Sequence, residues 1–263
     1  AHQRATRAEI NLKAFKHNLQ NLKKILGPNT GIMAIIKADA YGHGAIPCAK
    51  AALECGVQYL GAGVIQEGIE LRKNGITDPI LILGSIFLDE SADLVHHDLT
   101  TILCNQSLAE ELSKEAKKQN KIAKVHIKVN TGMNRLGVQP ENLSELVKKI
   151  ETLSNLKLEG LSTHFSSADD EDISITKGQI ELFQTALMRL QKMGINPPII
   201  HLANSSALFR FPETRANIVR PGLILYGALP SPFIQPIVKE DIIGFQLLCN
   251  SGIIPGKDFL FVE

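Results

Sequence analysis

Lys37 closes an apolar run, Gly31–Lys37, and leads into Ala38-Asp39-Ala40-Tyr41-Gly42-His43-Gly44. Lysine is seldom buried without a partner, and a desolvated amine has a lowered pKa that lets it form a Schiff base with a carbonyl. A strand-end lysine also snorkels to solvent, so position alone leaves both readings open. The Tyr-Gly-His-Gly turn adds a phenol and two glycines that let backbone approach a ligand. Four later runs end in similar chemistry. Lys128 is followed by a loop carrying Arg135; His164 ends the next run; Asn204 and Ser205 follow His201; Arg220 precedes Pro221-Gly222-Leu223. Asn or Ser at such a place caps a helix, and the free N–H groups of a helix start attract phosphate. Any one of these residues is commonly structural. Five at the same end of five strands make a set with an amine, cations for anionic groups, and small donors for a phosphate.

The elements that must position this set are short β-type runs alternating with helices. The runs are Gly31–Lys37, Gln58–Gly63, Pro79–Gly84, Leu99–Cys104, Ala123–Val129, Leu156–His164, Pro198–Ala203 and Asn217–Pro221. They read as continuous apolar strings, as strands covered on both faces do. Between them, Leu12–Leu26 places Leu12, Phe15, Leu19, Leu22 and Leu26 on one helical face, and Gln106–Gln119 and Lys177–Met193 behave alike, with Gly194 as a stop. Eight alternations predict an α/β fold, a (β/α)8 TIM-type barrel, with a doubly wound sheet as the second choice. In a barrel the active groups sit at the C-terminal ends of the strands, where the set above lies. After Gly227 the alternation stops in ALPSPFIQPIVKEDIIGFQLL. The expected division is a barrel over residues 1–230, then an exit segment over 231–263 that begins an incomplete C-terminal β domain.

Composition narrows the class. The 263 residues are 44% hydrophobic and 21% charged, enough for one large core and too apolar for disorder. Lys+Arg 28 against Asp+Glu 27 gives a net charge of +1, so no long-range field points to nucleic acid or an anionic membrane. Absence of Trp, with 3 Tyr, argues against base-stacking platforms. Cys48, Cys55, Cys104 and Cys249 form no C-x-x-C pair, which predicts small apolar thiols in a reducing cytoplasm and no metal site. The first residues lack the apolar stretch of a signal peptide, and no run approaches a membrane span.

Lys37 through Gly44, Lys128 through Gly137, Thr163-His164-Phe165 and Arg220-Pro221-Gly222 stand in an order that resembles the alanine racemases, enzymes dependent on pyridoxal 5'-phosphate. The resemblance runs from about Ala8 to Gly227. It implies a Schiff base between Lys37 and the cofactor, with Lys37 also exchanging the α-proton with D-alanine. It implies a phosphate held by Tyr41, Ser205, Gly222 and Leu223. Arg220 would face the pyridine nitrogen, where a guanidinium, unlike a carboxylate, cannot accept that nitrogen's proton. His164 would lie against the ring, with Asn204 hydrogen-bonding nearby. Arg135 would touch the cofactor's phenolic oxygen and the substrate carboxylate, and Lys128 would be a carbamate that fixes Arg135. The implied catalytic residues are therefore Lys37, Arg135 and His164. The implied activity is interconversion of L- and D-alanine, supplying D-alanine for the cell wall, in a cytoplasmic homodimer.

This sequence departs from that pattern at Asn130, where members often carry Asp, and at Asn134, where small residues are common. Members also have a second domain whose tyrosine is the opposite-face acid/base. The tyrosines here are Tyr41, Tyr59 and Tyr226, with none after Gly227, so racemisation by this chain is expected to be impaired. A single-barrel carrier of pyridoxal phosphate is the alternative, weakened by Arg135 and Lys128, which serve substrate. A racemase for a larger amino acid such as serine is a third reading.

Overall fold

The computed structural model describes residues 6–230, 232–233, 247–249 and 252–254. Eight parallel strands stand in sequence order: β2 (Gly31–Ile35), β3 (Tyr59–Ala62), β4 (Ile80–Ile82), β5 (Thr100–Leu103), β6 (Ala123–Lys128), β7 (Leu156–Ser162), β8 (Ile199–His201) and β9 (Ile218–Val219). β9 returns to pair with β2 through Gly31–Ile218 and Ile32–Val219. The seam between β8 and β9 is closed by Asn217, whose N–H donates to Ile200 O at 3.2 Å and whose Oδ1 accepts from Ile200 N–H at 2.8 Å, and by Arg220 N–H donating to Ala203 O at 2.9 Å. The fold is the (β/α)8 barrel that the alternation predicts.

All eight expected runs contain a strand, but the strands are shorter. β2 stops at Ile35 and β7 at Ser162, so Lys37 and His164 lie just past the rim, on loops. The three helices expected from spacing are present, over Leu12–Leu26, Gln106–Lys118 and Ser174–Lys192, the last beginning three residues before the expected Lys177. Asn11 starts the first, its Oδ1 accepting from Lys13 N–H and Ala14 N–H at 3.1 Å.

Two apolar shells result from the strand pleat, since successive side chains point to opposite faces. The outer shell, between strands and helices, includes Phe15, Leu19, Leu60, Ile82, Leu146 and Phe183. The inner shell, inside the barrel, is small: Met33, Ile35, Tyr59, Leu81, Ile102 and Ile218. It is small because many inward positions are polar, including His126, Lys128, Glu159, His201 and Arg220, each under 10% exposed. The continuous apolar reading of the strands is corrected there. β6 alternates, with Lys124, His126 and Lys128 facing inward between Ala123, Val125 and Ile127.

A second, antiparallel sheet lies outside the barrel. β1 (Thr6–Ala8) pairs with β10 (Leu247–Cys249), and β10 with β11 (Gly252–Ile254). The sequence pattern does not announce β1. Most of the expected exit segment falls outside the described residues. No helix among the described residues is long and apolar enough to cross a membrane.

Candidate active site

Lys37 sits at the start of a left-handed turn. Ala38, Asp39, Ala40 and Tyr41 have φ of 52°, 53°, 55° and 54°, a conformation that L-residues adopt at roughly 1–2 kcal/mol each. The turn is held from both sides. Glu67 accepts from Ala38 N–H at 2.7 Å and from Gly63 N–H at 2.6 Å. Asp39 Oδ1 accepts from Ala45 N–H at 2.6 Å. Tyr226 stacks on His43 and Tyr41, at 4.8 and 5.2 Å between centroids, and its hydroxyl donates to Ile35 O at 2.8 Å. Of the two readings that position leaves open, the structure shows the solvent-reaching one: Lys37 is exposed at the mouth of a cavity, because it stands beyond the strand's end. Its Nζ lies 5.8 Å from the Tyr41 ring centre.

The cavity, about 830 Å³, occupies the C-terminal end of the barrel. Tyr41, Ser205, Gly222 and Leu223 line one side of it. Gly222 N–H donates to Ser205 Oγ at 2.9 Å. A methyl on Gly222 would stand 2.8 Å from Tyr41 Oη, so the phenol reaches this backbone only because no side chain intervenes. Leu223 begins a one-turn helix, Leu223–Tyr226, whose first N–H groups have no partner within the turn. Asn204 spends its Oδ1 on Ala207 N–H at 2.9 Å, as a helix cap.

Arg220 forms the floor and is 6% exposed. Nη1 donates to His201 O at 2.7 Å and His201 Nδ1 at 2.8 Å; Nη2 donates to Thr163 O at 2.8 Å, Leu202 O at 2.9 Å and His164 Nδ1 at 3.2 Å. Burial lowers its pKa to about 10, which leaves it cationic at neutral pH. Burial first, then Arg220, Lys128, Arg135 and Lys37, hold His164 well below the usual imidazole range. His164 is therefore neutral, with Nδ1 accepting.

The loop after β6 brings Arg135 over Lys128. Val138 N–H donates to Lys128 O and Asn130 N–H to Val138 O, both at 2.8 Å, folding the loop back onto the strand. Gly137 permits this: its φ is 139°, and a Cβ there would lie 2.8 Å from Asn130 N and 3.0 Å from Lys128 O. Asn130 Oδ1 accepts from Gly132 N–H and Asn134 N–H, while its amide donates to Asn134 Oδ1 at 2.9 Å. The two asparagines that depart from the expected pattern are thus partners, and an Asp at 130 could not make that last donation. Lys128 is 8% exposed. Burial, then Arg220 and Arg135, bring its pKa down to about 8.

Lys37, Lys128, Arg135 and Arg220 line one cavity with one carboxylate, Asp169, among the described residues. A concave site with so many cations concentrates anions. It fits a ligand carrying a phosphate or a carboxylate.

Comparison with known proteins identifies the family. The model of the alanine racemase N-terminal domain matches residues 10–230. The chain belongs to the alanine racemase family. Alanine racemase of Treponema denticola is 41% identical over 89% of this chain and 63% of its own length. That of Halothermothrix orenii is 45% identical over 87% and 60%. Among solved structures, Clostridium difficile alanine racemase superposes with a TM-score of 0.89 at 36% identity, covering 94% of this chain and 65% of that one. The Bacillus anthracis enzyme, solved with bound L-Ala-P, gives 0.87 at 32%, covering 94% and 64%. The chain spans about three fifths of the curated alanine racemases it matches.

Every residue expected from the alanine racemase motifs lines this cavity: Lys37, Tyr41, Lys128, Arg135, His164, Asn204, Ser205, Arg220, Gly222 and Leu223. Missing from the sequence reading are His126, Glu159 and Tyr59, buried below the cavity and linked to it by hydrogen bonds. The period-2 polar positions 124, 126 and 128 of β6 were the available signal for the first.

Proposed function

We propose that this chain is the cofactor-binding part of an alanine racemase, interconverting L- and D-alanine with pyridoxal 5'-phosphate. The observation that carries the reading is the cavity's donor set: Lys37 at the mouth, a buried guanidinium on the floor, and Tyr41, Ser205 and Gly222 converging at one end. The fit is chemical as well as spatial. About 830 Å³ admits a cofactor with an amino acid, and the close approach of Tyr41 Oη to Gly222 makes a cradle that a Cβ would fill.

When bound, pyridoxal phosphate supplies an electron sink that acidifies the α-proton of an amino acid. Lys37 Nζ would hold the cofactor covalently, then take and return that proton on one face. Tyr41, Ser205, Gly222 N–H and Leu223 N–H would bind the phosphate. Arg220 would face the ring nitrogen as a donor that cannot give up its own charge. Neutral His164 would lie against the ring and Asn204 beside it. Arg135 would orient the substrate carboxylate. Lys128, as a carbamate, would turn repulsion toward Arg135 into a charge-assisted hydrogen bond. The Lys128–Arg135 apparatus is of no use to a carrier that does not racemise.

Residues 1–230 would make the cofactor-binding barrel, and 231–263 the exit into a second β domain, with Thr6–Ala8 lending it a strand. Exchange between faces needs a second proton group. Tyr59 and Tyr226 already donate to Glu159 and Ile35 O, and Tyr41 lies in the phosphate cradle. The second group would come from a further domain in a cytoplasmic homodimer supplying D-alanine. The test begins by adding pyridoxal phosphate to the chain. A visible absorption band should appear, and borohydride should fix the label on the Lys37 peptide. D-to-L conversion should be low here and rise in a protein carrying both domains, since a positioned acid/base is worth about 10²–10⁴ in rate. Label on Lys128 with Lys37 unmodified refutes the site; full activity in this chain refutes the two-domain account.

A further inference from the structure

Below the cavity, a single file of buried polar groups crosses the barrel interior. His201 Nδ1 accepts from Arg220, and His201 Nε2 lies 2.9 Å from His126 Nδ1. His126 Nε2 lies 3.3 Å from Glu159 Oε2, which also accepts from Tyr59 Oη at 2.8 Å; Lys124 Nζ stands 3.7 Å from Oε1. His126 and His201 are at most 1% exposed.

The backbone is shaped around this file. β6 and β7 run in register until Val125–Leu158, then resume at His126–Gly160, so Glu159 is the extra residue of a bulge. A bulge sets two residues against one, and this one places both Glu159 and Gly160 beside His126, the carboxylate inside the barrel. Next to it, a Cβ on Gly160 would stand 2.5 Å from His126 Nδ1. The missing side chain is what admits the imidazole. A buried charged row of this kind is weak evidence for stability, since apolar residues of similar volume serve as well.

The proton positions follow from donor chemistry. Arginine has only donors, so His201 Nδ1 must accept and its proton lies on Nε2. His201 Nε2–H donates to His126 Nδ1, which places the His126 proton on Nε2 and aims it at Glu159. A doubly protonated His126 would leave His201 without any proton, so both rings are neutral. Burial, the largest influence, lowers both imidazoles. Burial pushes Glu159 up, but hydrogen bonds from His126 and Tyr59 outweigh it and hold the carboxyl at about 2.

We propose that Glu159 is a positioning residue for Arg220, acting through the fixed tautomers of His126 and His201. The hydrogen bonds of Arg220 go to three carbonyls and two imidazole nitrogens, with no carboxylate among them. Its counter-charge is set two imidazoles away. A carboxylate in direct contact would quench the guanidinium's field, whereas the relay anchors the plane and leaves the charge facing the cavity. Without an acceptor at Glu159, the His126 proton is free to move to Nδ1. His201 would then turn an N–H toward Arg220, donor against donor. What this does to a bound pyridoxal ring rests on the proposed function; the tautomers do not.

The test is nitrogen NMR of the full chain with 15N-histidine, without cofactor, followed by spectrophotometric titration with pyridoxal phosphate. In the unaltered protein both His126 and His201 should show a protonated Nε2 and a bare Nδ1 through neutral pH. Glu159→Leu should reverse or mix the His201 pattern, weaken pyridoxal phosphate on the order of tenfold, and shift its visible band. Glu159→Gln keeps an oxygen acceptor and should restore the His201 pattern. A purely structural role would lower the melting temperature of Glu159→Leu and leave nitrogen shifts and band unchanged, which overturns the proposal. So does a proton on His201 Nδ1 in the unaltered protein, a measurement that stands if Glu159→Leu fails to fold. A normal nitrogen pattern with no visible band in any variant would refute the cofactor reading and leave the relay intact.

Discussion

Lys128 offers a quantitative test of the site's electrostatics. Burial and two neighbouring guanidiniums lower its pKa from 10.5 to about 8. As a bare ammonium at neutral pH it would cost the fold about 3 kcal/mol, at 1.36 kcal/mol per pKa unit. The native state then binds fewer protons than the unfolded chain between about pH 8 and 10.5, so stability rises with pH across that window and the penalty is complete below it. The same shift raises the neutral-amine fraction at pH 8 roughly a hundredfold, and neutral amine is the form that captures carbon dioxide. Capture replaces a repelled cation by an anion that binds Arg135. Adding bicarbonate at pH 8, against chloride of equal ionic strength, should raise the melting temperature. Relief of the whole penalty corresponds to about 6–12 °C, at about 2–4 °C per kcal/mol for a domain of this size. A carbamate carbon signal should appear with labelled bicarbonate and fade on acidification. Lys128→Met, which carries no charge, should lose the signal and the bicarbonate response together. An unaltered protein whose melting ignores bicarbonate, or a Met variant that responds equally, refutes the carbamate.

Other substitutions probe the framework. Gly222→Ala puts a methyl 2.8 Å from Tyr41 Oη; pyridoxal phosphate titration should show weaker binding with little change in melting, because the hydroxyl is displaced from its cradle. Gly137→Ala meets both a φ of 139° and backbone at 2.8 Å; a loss of more than about 2 kcal/mol in denaturant melts is expected. Phe183→Ala empties a site 1% exposed in the outer shell and should cost about 3–5 kcal/mol in the same melts, with the cofactor band retained.

The barrel was legible because eight apolar runs and intervening helices obey two simple periods, and because Lys37, Lys128, His164, Ser205 and Arg220 recur at one end of them. What the runs concealed was their inner face. His126 and Lys128 sit in AKVHIKV, where valines and isoleucine, packing outward, mask the polar alternation. Glu159 follows the inward parity counted from Leu156, but the bulge after it shifts the count, so Leu161 faces outward and LKLEGLS shows no sustained alternation. Whether Lys37 is desolvated or exposed was open in the sequence because it depends on where the strand ends, and the strand stops two residues earlier. β1 was missed because its pairing partner is more than two hundred residues away, and local spacing carries no trace of it.

The left-handed turn after Lys37 has a consequence for how the protein can be improved. Four non-glycine residues there hold about 4–8 kcal/mol of unfavourable backbone conformation, balanced by Glu67, Asp39 and the Tyr226 stack. Glycine at Ala38 or Ala40 would relieve part of it, and selection for heat resistance alone would favour that change. The same change would loosen the segment that aims the amine. Stability and aim are coupled in one short piece of chain, so thermostable variants are best sought in the outer shell, with these four residues kept as they are.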